Sequence, residues 1–314
     1  MATSVTANAA WTTQSADLRR DEDFSTEDVV RLLELTDHVK RAPARFAHAL
    51  SGRYLALLFE KPSLRTRLTF ELAIKQLGGD SVVSIGPVNQ REPVKDVARN
   101  LARWTQGIVA RTFSQETIDE LARWSEVPVI NALSDLYHPC QAFADLFTLK
   151  ERFGRLRGLK LAFCGDGNNV AHSLMLDCSR LGVDFALATP PGYEASGAIV
   201  AEARRYAAET GAAVTITYDA QEAVEGAHAV YTDVWASMGE EDEAEERRRN
   251  FASYQVDESL MSMAREDAIF LHCLPAKRGQ EVTDGVIESP QSAVFDQAEN
   301  RLHAQKALLL MLLS

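Results

Sequence analysis

The strongest constraint in this sequence is a rhythm: short apolar runs of strand type alternate with longer stretches of helical periodicity, twice over. In the first block the strand candidates lie at 54–59, 81–85, 107–111 and 127–131, with helical patterning over 63–77, 94–104 and 117–124. Gly78-Gly79 stops the first of these helices. A helix over about 141–152 follows, and Gly154 and Gly158 bracket a basic turn. The second block places strands at 159–164, 184–188, 213–217, 228–232 and 268–272, with helices over 170–181 and 194–210. Strands separated by helices pair in parallel, and the crossovers cover the sheet faces. The expected fold is therefore α/β: two domains, each a mainly parallel sheet flanked by helices, joined near 140–155. A length of 314 residues agrees with two domains.

Ahead of the first block, Ser25 is set to cap a helix, with Asp28 reaching back to it and Phe24 stapled to Val29. The residues before Phe24 are rich in Ala, Ser and Thr and have neither a basic start nor an apolar stretch, so 1–23 reads as a poorly ordered tail rather than a signal peptide. The longest apolar run, 307–313, reads as the buried end of a terminal helix and is far short of the ~20 residues that span a bilayer, so no membrane partner is expected. A net charge of −12, from 33 Lys and Arg against 45 Asp and Glu, argues against nucleic acid as a partner. Cys140, Cys164, Cys178 and Cys273 form no CxxC pair, and no His cluster has ligand spacing. Reduced thiols in a cytoplasmic protein, with no metal and no disulfide, are the expectation. The run 240–249 switches from acidic to basic and reads as a solvated loop or short helix.

The segment Phe59-Glu60-Lys61-Pro62-Ser63-Leu64-Arg65-Thr66-Arg67-Leu68-Thr69-Phe70 lies where a strand ends and a helix begins. Free backbone N–H groups and the helix dipole favour an anion there. Ser63 and Thr66 add hydroxyls and Arg65 a planar fork suited to phosphate. Taken alone, the same letters also fit a Ser-capped helix with solvated arginines. Arg111 stands at the carboxyl end of a strand, where open α/β sheets bind ligands, and His138-Pro139-Cys140-Gln141 follows the next strand in the same way. Together these residues form an electropositive pocket with two neutral donors, His138 and Gln141. In the second block, Gly165-Asp166-Gly167-Asn168-Asn169 joins a strand to a helix like a dinucleotide fingerprint. However, Val170 occupies the third glycine position and no acidic residue ends the next strand, so a nicotinamide enzyme is disfavoured.

The SxRTR and HPCQ segments, Asp233-Val234-Trp235-Ala236-Ser237-Met238-Gly239, His272-Cys273-Leu274-Pro275 and Ala298-Glu299-Asn300-Arg301-Leu302-His303 follow one another in this order. In this the chain resembles the aspartate/ornithine carbamoyltransferase family from about residue 54 to its C-terminus, and DxxxSMG with HCLP resembles the ornithine branch. The resemblance implies transfer of the carbamoyl group of carbamoyl phosphate to the δ-amine of L-ornithine, giving L-citrulline and phosphate, with no cofactor. It implies a carbamoyl-phosphate domain over 24–140, an ornithine domain over 141–297, and a last helix, 298–314, packing back on the first domain. It also implies a homotrimer, or a multiple of one, with active sites near subunit boundaries.

By position, Ser63, Leu64, Arg65 and Thr66 hold the phosphate, while Arg111, His138 and Gln141 hold its phosphate or carbonyl side. Cys273 and Leu274 meet the carbamoyl group, and Arg301 closes the site. Asn169, Asp233, Ser237 and Met238 hold ornithine. Arg65, Arg111, His138 and Cys273 are the catalytic set. Leu64 stands where many members have Thr, so a hydroxyl is lost and a backbone N–H remains. The loop 87–92 lacks a Gln where some members place a phosphate contact, and Gln90 is the substitute.

Carbamoyl transfer joins a neutral amine to a carbonyl carbon and expels phosphate. Arg65, Arg111 and His138 face both developing charges, and Asp233 anchors an ornithine ammonium. Cys273 reads equally as a thiolate tuning the amine and as a small buried packing residue. The run 240–249, beside the ornithine residues, reads as part of a lid. Rival readings are a transferase for N-acylated ornithine or putrescine and a non-catalytic subunit that kept the fold.

Overall fold

The structure, a computed structural model, describes residues 11–236 and 241–314. They divide into two compact units, one reaching Phe147 and taking up Asn300–Ser314 as well, the other formed by Thr148–Glu299.

The first unit opens on α1 (Thr26–Arg41), whose capping box is the expected one: Ser25 accepts from the Asp28 N–H while the Asp28 carboxylate accepts from the Ser25 N–H. The chain then alternates through β1 (Tyr54–Phe59), α2 (Arg65–Gln76), β2 (Asp80–Ile85), α3 (Val94–Trp104), β3 (Gly107–Arg111), α4 (Gln115–Trp124), β4 (Val129–Leu133) and α5 (Pro139–Phe153). The four strands are parallel in the order β2-β1-β3-β4. The last strand starts two residues later than its apolar letters suggest. Pro128 has no N–H to give to the ladder and serves only as an acceptor, for the Ile108 N–H at 2.9 Å.

The second unit continues with β5 (Lys160–Cys164), α6 (Asn169–Arg180), β6 (Asp184–Ala188), α7 (Gly197–Thr210), β7 (Val214–Thr217), α8 (Ala220–Val224), β8 (Ala229–Thr232), α9 (Ala244–Phe251), α10 (Glu258–Met261), β9 (Ile269–His272) and α11 (Asp284–Ile287). Its five strands are parallel in the order β7-β6-β5-β8-β9. Phe163 and Tyr231 stack at 5.3 Å in its core. The last helix, α12 (Val294–Leu313), lies in the first unit from Asn300 onward. There Ala304, Ala307, Leu308 and Leu309 are buried, and Lys40 donates to Asn300 Oδ1 at 2.8 Å. The terminal helix therefore does pack on the first domain.

In each sheet the chain builds outward from one strand, then returns to build on its other side. That reversal falls between β1 and β3 in the first unit and between β5 and β8 in the second. Crossover helices leave such a point in opposite directions, and a crevice remains beyond the carboxyl ends of the two strands.

The poorly ordered tail expected over 1–23 is a misreading for its later part; residues 1–10 lie outside the described residues. Leu18 is fully buried and pairs in parallel with Ile130. Its N–H donates to Val129 O at 2.9 Å and its carbonyl accepts from Asn131 N at 2.7 Å, while Asp17 Oδ1 accepts from Val129 N at 2.8 Å. The open edge of β4 supplies a ladder that one leucine among polar residues does not announce. Replacing Leu18 with Ala is expected to lower unfolding stability by about 2–5 kcal/mol, as for a leucine excised from a packed core. Denaturant titration reads this directly, and a parental midpoint would place Leu18 outside the cooperative core.

Candidate active site

In the first unit the chemistry gathers at the β1/β3 reversal. The Ser63 cap allowed by the sequence is not formed: Leu64 takes the cap position of α2, and no side chain accepts from the first turn. The leading N–H groups of α2 are therefore presented as a helix-terminal anion site. Leu64 is 64% exposed, so its side chain brings nothing polar and only its N–H counts. Ser63 and Arg65 are half-buried on either side of it.

Thr66 is buried and is the focus of the cluster. Its hydroxyl accepts from Arg301 Nη2 at 2.8 Å and from Arg111 Nη1 at 3.4 Å. Both hydroxyl lone pairs are then used, and the proton is left to donate. The two arginines are only 8% (Arg111) and 3% (Arg301) exposed. Residues 111 and 301 thus meet on one atom of residue 66, a convergence that sequence order conceals.

His138 and Gln141 stand at the start of α5, where Pro139 suits the first helical position. Both are buried. The His138 imidazole is held well below its usual value of 6.5, first by burial and then by the positive charges of Arg301 and Arg111. It is neutral at working pH and offers one N–H. Gln141 gives its Nε2 to the buried Asp145 carboxylate at 2.7 Å. That fixes the amide, so Gln141 presents its Oε1 as an acceptor.

Glu60 lies in the Phe59–Phe70 segment, but the sequence gives it no role of its own. Its carboxylate accepts from Val88 N and from Phe113 N, both at 2.9 Å, and so ties the end of β1 to the loop after β2 and the turn after β3. The spacing of 28 and 53 residues to its partners leaves no local signal. Gln90 is exposed in that loop.

In the second unit the chemistry gathers at the β5/β8 reversal. Asp233 follows β8 and is 9% exposed. Its Oδ1 accepts from Val234 N at 2.8 Å and from Cys273 Sγ at 2.9 Å, and its Oδ2 accepts from Asn168 Nδ2 at 3.0 Å. Cys273 follows β9 and acts here as a thiol donor. Leu274, next in line, has a left-handed backbone at φ 59°, unusual for a bulky residue. Its N–H is received by His272 Nδ1 at 2.8 Å, and His272 Nε2 meets Glu281 Oε1 at 3.1 Å. Glu281 also accepts from Lys277 N and is buried, a second acidic residue that sequence reading did not single out.

Asn169 opens α6 half-buried, one residue beyond the asparagine that touches Asp233. Ser237 and Met238 lie outside the described residues. The basic half of the charge run is a short helix, and Arg247 in it is buried rather than solvated. It donates to Asp166 Oδ2 at 2.8 Å and to Trp235 O at 3.1 Å, with its guanidinium 5.1 Å over the Tyr193 ring.

Among the described residues, Asp233, His272 and Cys273 bring one potential metal-ligand atom each within 4.8 Å of one another. Both ring nitrogens of His272 are engaged, one by Leu274 and one by Glu281, so a cation there must first break a backbone pin.

Two family descriptions match the chain in succession: "Aspartate/ornithine carbamoyltransferase, carbamoyl-P binding domain" over residues 17–151 and "Aspartate/ornithine carbamoyltransferase, Asp/Orn binding domain" over residues 157–312. The ornithine carbamoyltransferase of Anoxybacillus flavithermus is 49% identical over 296 residues, 93% of this chain and 94% of that one. The solved ornithine carbamoyltransferase of Pyrococcus furiosus superposes with a TM-score of 0.93 at 45% identity, covering 95% of this chain and 97% of that one. The crystal structure from Gloeobacter violaceus gives 0.88 at 47% identity, covering 95% and 99%.

The neutral His138 carries a stability consequence. Its folded value is depressed, so between that value and 6.5 the unfolded chain binds a proton that the folded one refuses. Stability contributed by the neutral ring is fully present above 6.5 and is lost as pH falls below it. Urea titrations from pH 7.5 to 5 are expected to show a falling midpoint, and His138→Asn a shallower fall. Identical slopes in the two proteins contradict the burial argument.

Proposed function

The chain belongs to the aspartate/ornithine carbamoyltransferase family, and on that premise we propose that it transfers the carbamoyl group of carbamoyl phosphate to the δ-amine of L-ornithine, giving L-citrulline and phosphate. The observation that carries this reading is the meeting of Arg111 and Arg301 on the Thr66 hydroxyl at the uncapped start of α2. That cluster combines donors of three kinds, guanidinium, hydroxyl and backbone N–H, for a compact dianion.

In this reading the phosphate rests on the N–H groups of Leu64, Arg65 and Thr66, with the hydroxyls of Ser63 and Thr66 and the guanidinium groups of Arg65, Arg111 and Arg301. Neutral His138 gives its N–H to the carbonyl oxygen, where negative charge develops. One such donor contributes about 2.7–4 kcal/mol in the transition state. Gln141 Oε1 accepts from the carbamoyl NH2, and the backbone of Cys273 and Leu274 receives the same group. Asp233 holds the α-ammonium of ornithine, assisted by Asn169, Ser237 and Met238. The δ-amine lone pair forms the new C–N bond, the C–O bond to phosphorus breaks, and phosphate leaves with that electron pair. The amine proton passes to the departing phosphate. Holding both substrates together supplies up to roughly 7–11 kcal/mol.

Free ornithine suits Asp233 better than its relatives. Acylating the α-nitrogen removes the cation, so a carboxylate with little exposure stays uncompensated; putrescine keeps a cation at both ends and lacks instead the α-carboxylate that Asn169 is proposed to hold. The same reading has the chain acting as a homotrimer in the cytoplasm. Leu64 at the cap of α2, Leu68 and Leu72 on α2, and Val82, Val83 and Ile85 on β2, an edge strand, are large apolar side chains left exposed on the first unit. Exposed apolar side chains in this number favour cover by identical copies.

Phosphate release from carbamoyl phosphate is expected to be faster with ornithine than with N-acetylornithine or putrescine; faster turnover of either analogue overturns the substrate assignment. Arg111→Ala is expected to lower kcat/KM for carbamoyl phosphate by about 10²–10³-fold, comparable to removal of an oxyanion donor. Steady-state kinetics with carbamoyl phosphate as the varied substrate decides this. Sedimentation at several concentrations tests the trimer, which a monomer at all of them excludes.

A further inference from the structure

We propose that Asn168 is a positioning residue for ornithine: its side-chain amide locks the Asp233 carboxylate to the start of α6 across the β5/β8 reversal. The inference rests on the reading of Asp233 as the ornithine anchor. It concerns a residue to which neither the motif reading nor the reaction as derived above gives a role.

The orientation of the Asn168 amide is fixed from both ends. Its Oδ1 accepts from Val170 N at 3.0 Å and from Ala171 N at 3.1 Å, as the cap of α6. Those two bonds admit only the oxygen, so Nδ2 must face the other way, and there it donates to Asp233 Oδ2 at 3.0 Å. The helix cap is thereby made into a rigid arm. Asp233 Oδ1 is held separately, by Val234 N and by the Cys273 thiol. Both oxygens are then pinned, and among the described residues three of roughly four acceptor positions on the carboxylate are filled. About one is left, with a direction, for an incoming ammonium.

Without the Asn168 arm, Asp233 still carries its charge and its Oδ1 bonds, but it can turn about its side chain. Attraction to an ammonium survives such a turn; aim does not. Aim is what a δ-amine at the far end of ornithine needs. Loss of Nδ2 is therefore expected to appear in kcat as well as in the ornithine KM, while the KM for carbamoyl phosphate stays close to parental.

Capping and positioning are separable by two substitutions. Ser and Asp are both good helix caps, so Asn168→Ser and Asn168→Asp each retain that role. Asn168→Ser removes the arm at every pH. Asn168→Asp replaces the arm by a carboxyl beside Asp233. Two carboxyl groups so close cannot both ionise readily and hold a proton between them. At acid pH the shared proton restores a donor to Asp233; as pH rises it is lost, and repulsion replaces the bond. The neighbouring titratable and charged groups, Cys273, His272, Asp166 and Arg247, are common to parent and variants and cancel when each variant is divided by the parent.

The experiment is kcat and KM for ornithine from pH 6 to 9 in the full-length enzyme, with thermal unfolding alongside. Asn168→Ser is expected to lose between roughly ten- and a hundredfold in kcat/KM for ornithine, as for a hydrogen bond to a charged group. Its ratio to the parent stays flat with pH. The Asn168→Asp ratio is expected to be best at pH 6 and to worsen as pH rises. Asp233→Asn is the control on the underlying reading: if it leaves ornithine kinetics unchanged, that reading fails, whatever Asn168 does. If Asp233→Asn is crippled while Asn168→Ser remains parental, or if the Asn168→Asp defect shows no pH trend, the positioning role is overturned. An equal loss for both substrates, tracking lowered thermal stability, also overturns it and assigns Asn168 to the cap alone.

Discussion

The structure depends on a constraint of parallel sheets: a chain that builds to one side of a strand and then to the other must open a crevice at the carboxyl edge. Each unit does so once, between β1 and β3 and between β5 and β8. Each places its polar chemistry at that spot. In the first unit the α2 start follows β1 and Arg111 closes β3; in the second, Asn168 follows β5 and Asp233 follows β8. The hydrogen bonds Arg111–Thr66 and Asn168–Asp233 both span a reversal. A fold chosen to bury apolar strands thus sets down donors and acceptors from distant parts of the sequence within reach of one another.

The two crevices are charged oppositely. Arg111 and Arg301 give the first a positive potential strong enough to help keep a proton off His138. Burial, the larger cause, disfavours the charged ring independently of those two arginines. In the second unit Asp233 provides the negative counterpart, steadied by three donors from the chain. The net charge of −12 says nothing of either site. Local sign is set by which residues the strand ends carry, and it matches the substrate proposed for each unit.

The strands were legible because buried parallel strands are written as continuous apolar runs, and their ends fell within a residue or two. Where they slipped, a backbone reason is visible, as at Pro128. The site was legible where a residue's own type is unusual for its place: Arg111 at the end of an apolar run, or Asp233 after another. What stayed hidden were groups whose role is to hold others. Glu60, Glu281 and Asn168 are ordinary letters in loop-like text, and their partners are remote or on the backbone. The choice between adjacent Asn168 and Asn169 shows the limit well. Only the turn into α6 decides which amide caps the helix and reaches Asp233. Leu18 was hidden for a related reason, since an edge strand formed by one residue has no period to read.

These holders share a physical logic. Asp233, Cys273 and Leu274 sit on loops past strand ends, where the ladder no longer fixes them, and the side chains that pin Asp233 and Leu274 there also bond other groups of the chain. Glu60 receives two N–H groups, and Asn168 receives two more while donating to Asp233. Leu274 is the most demanding case, because a left-handed backbone at a branched residue is disfavoured by about 1–3 kcal/mol. The Leu274 N–H bonded to His272 Nδ1 requires the tautomer protonated at Nε2, and Glu281 selects that tautomer by accepting from Nε2. Glu281 therefore acts on the Cys273–Leu274 backbone through an imidazole it never releases. Rigidity at the site is built largely from polar bonds to the main chain.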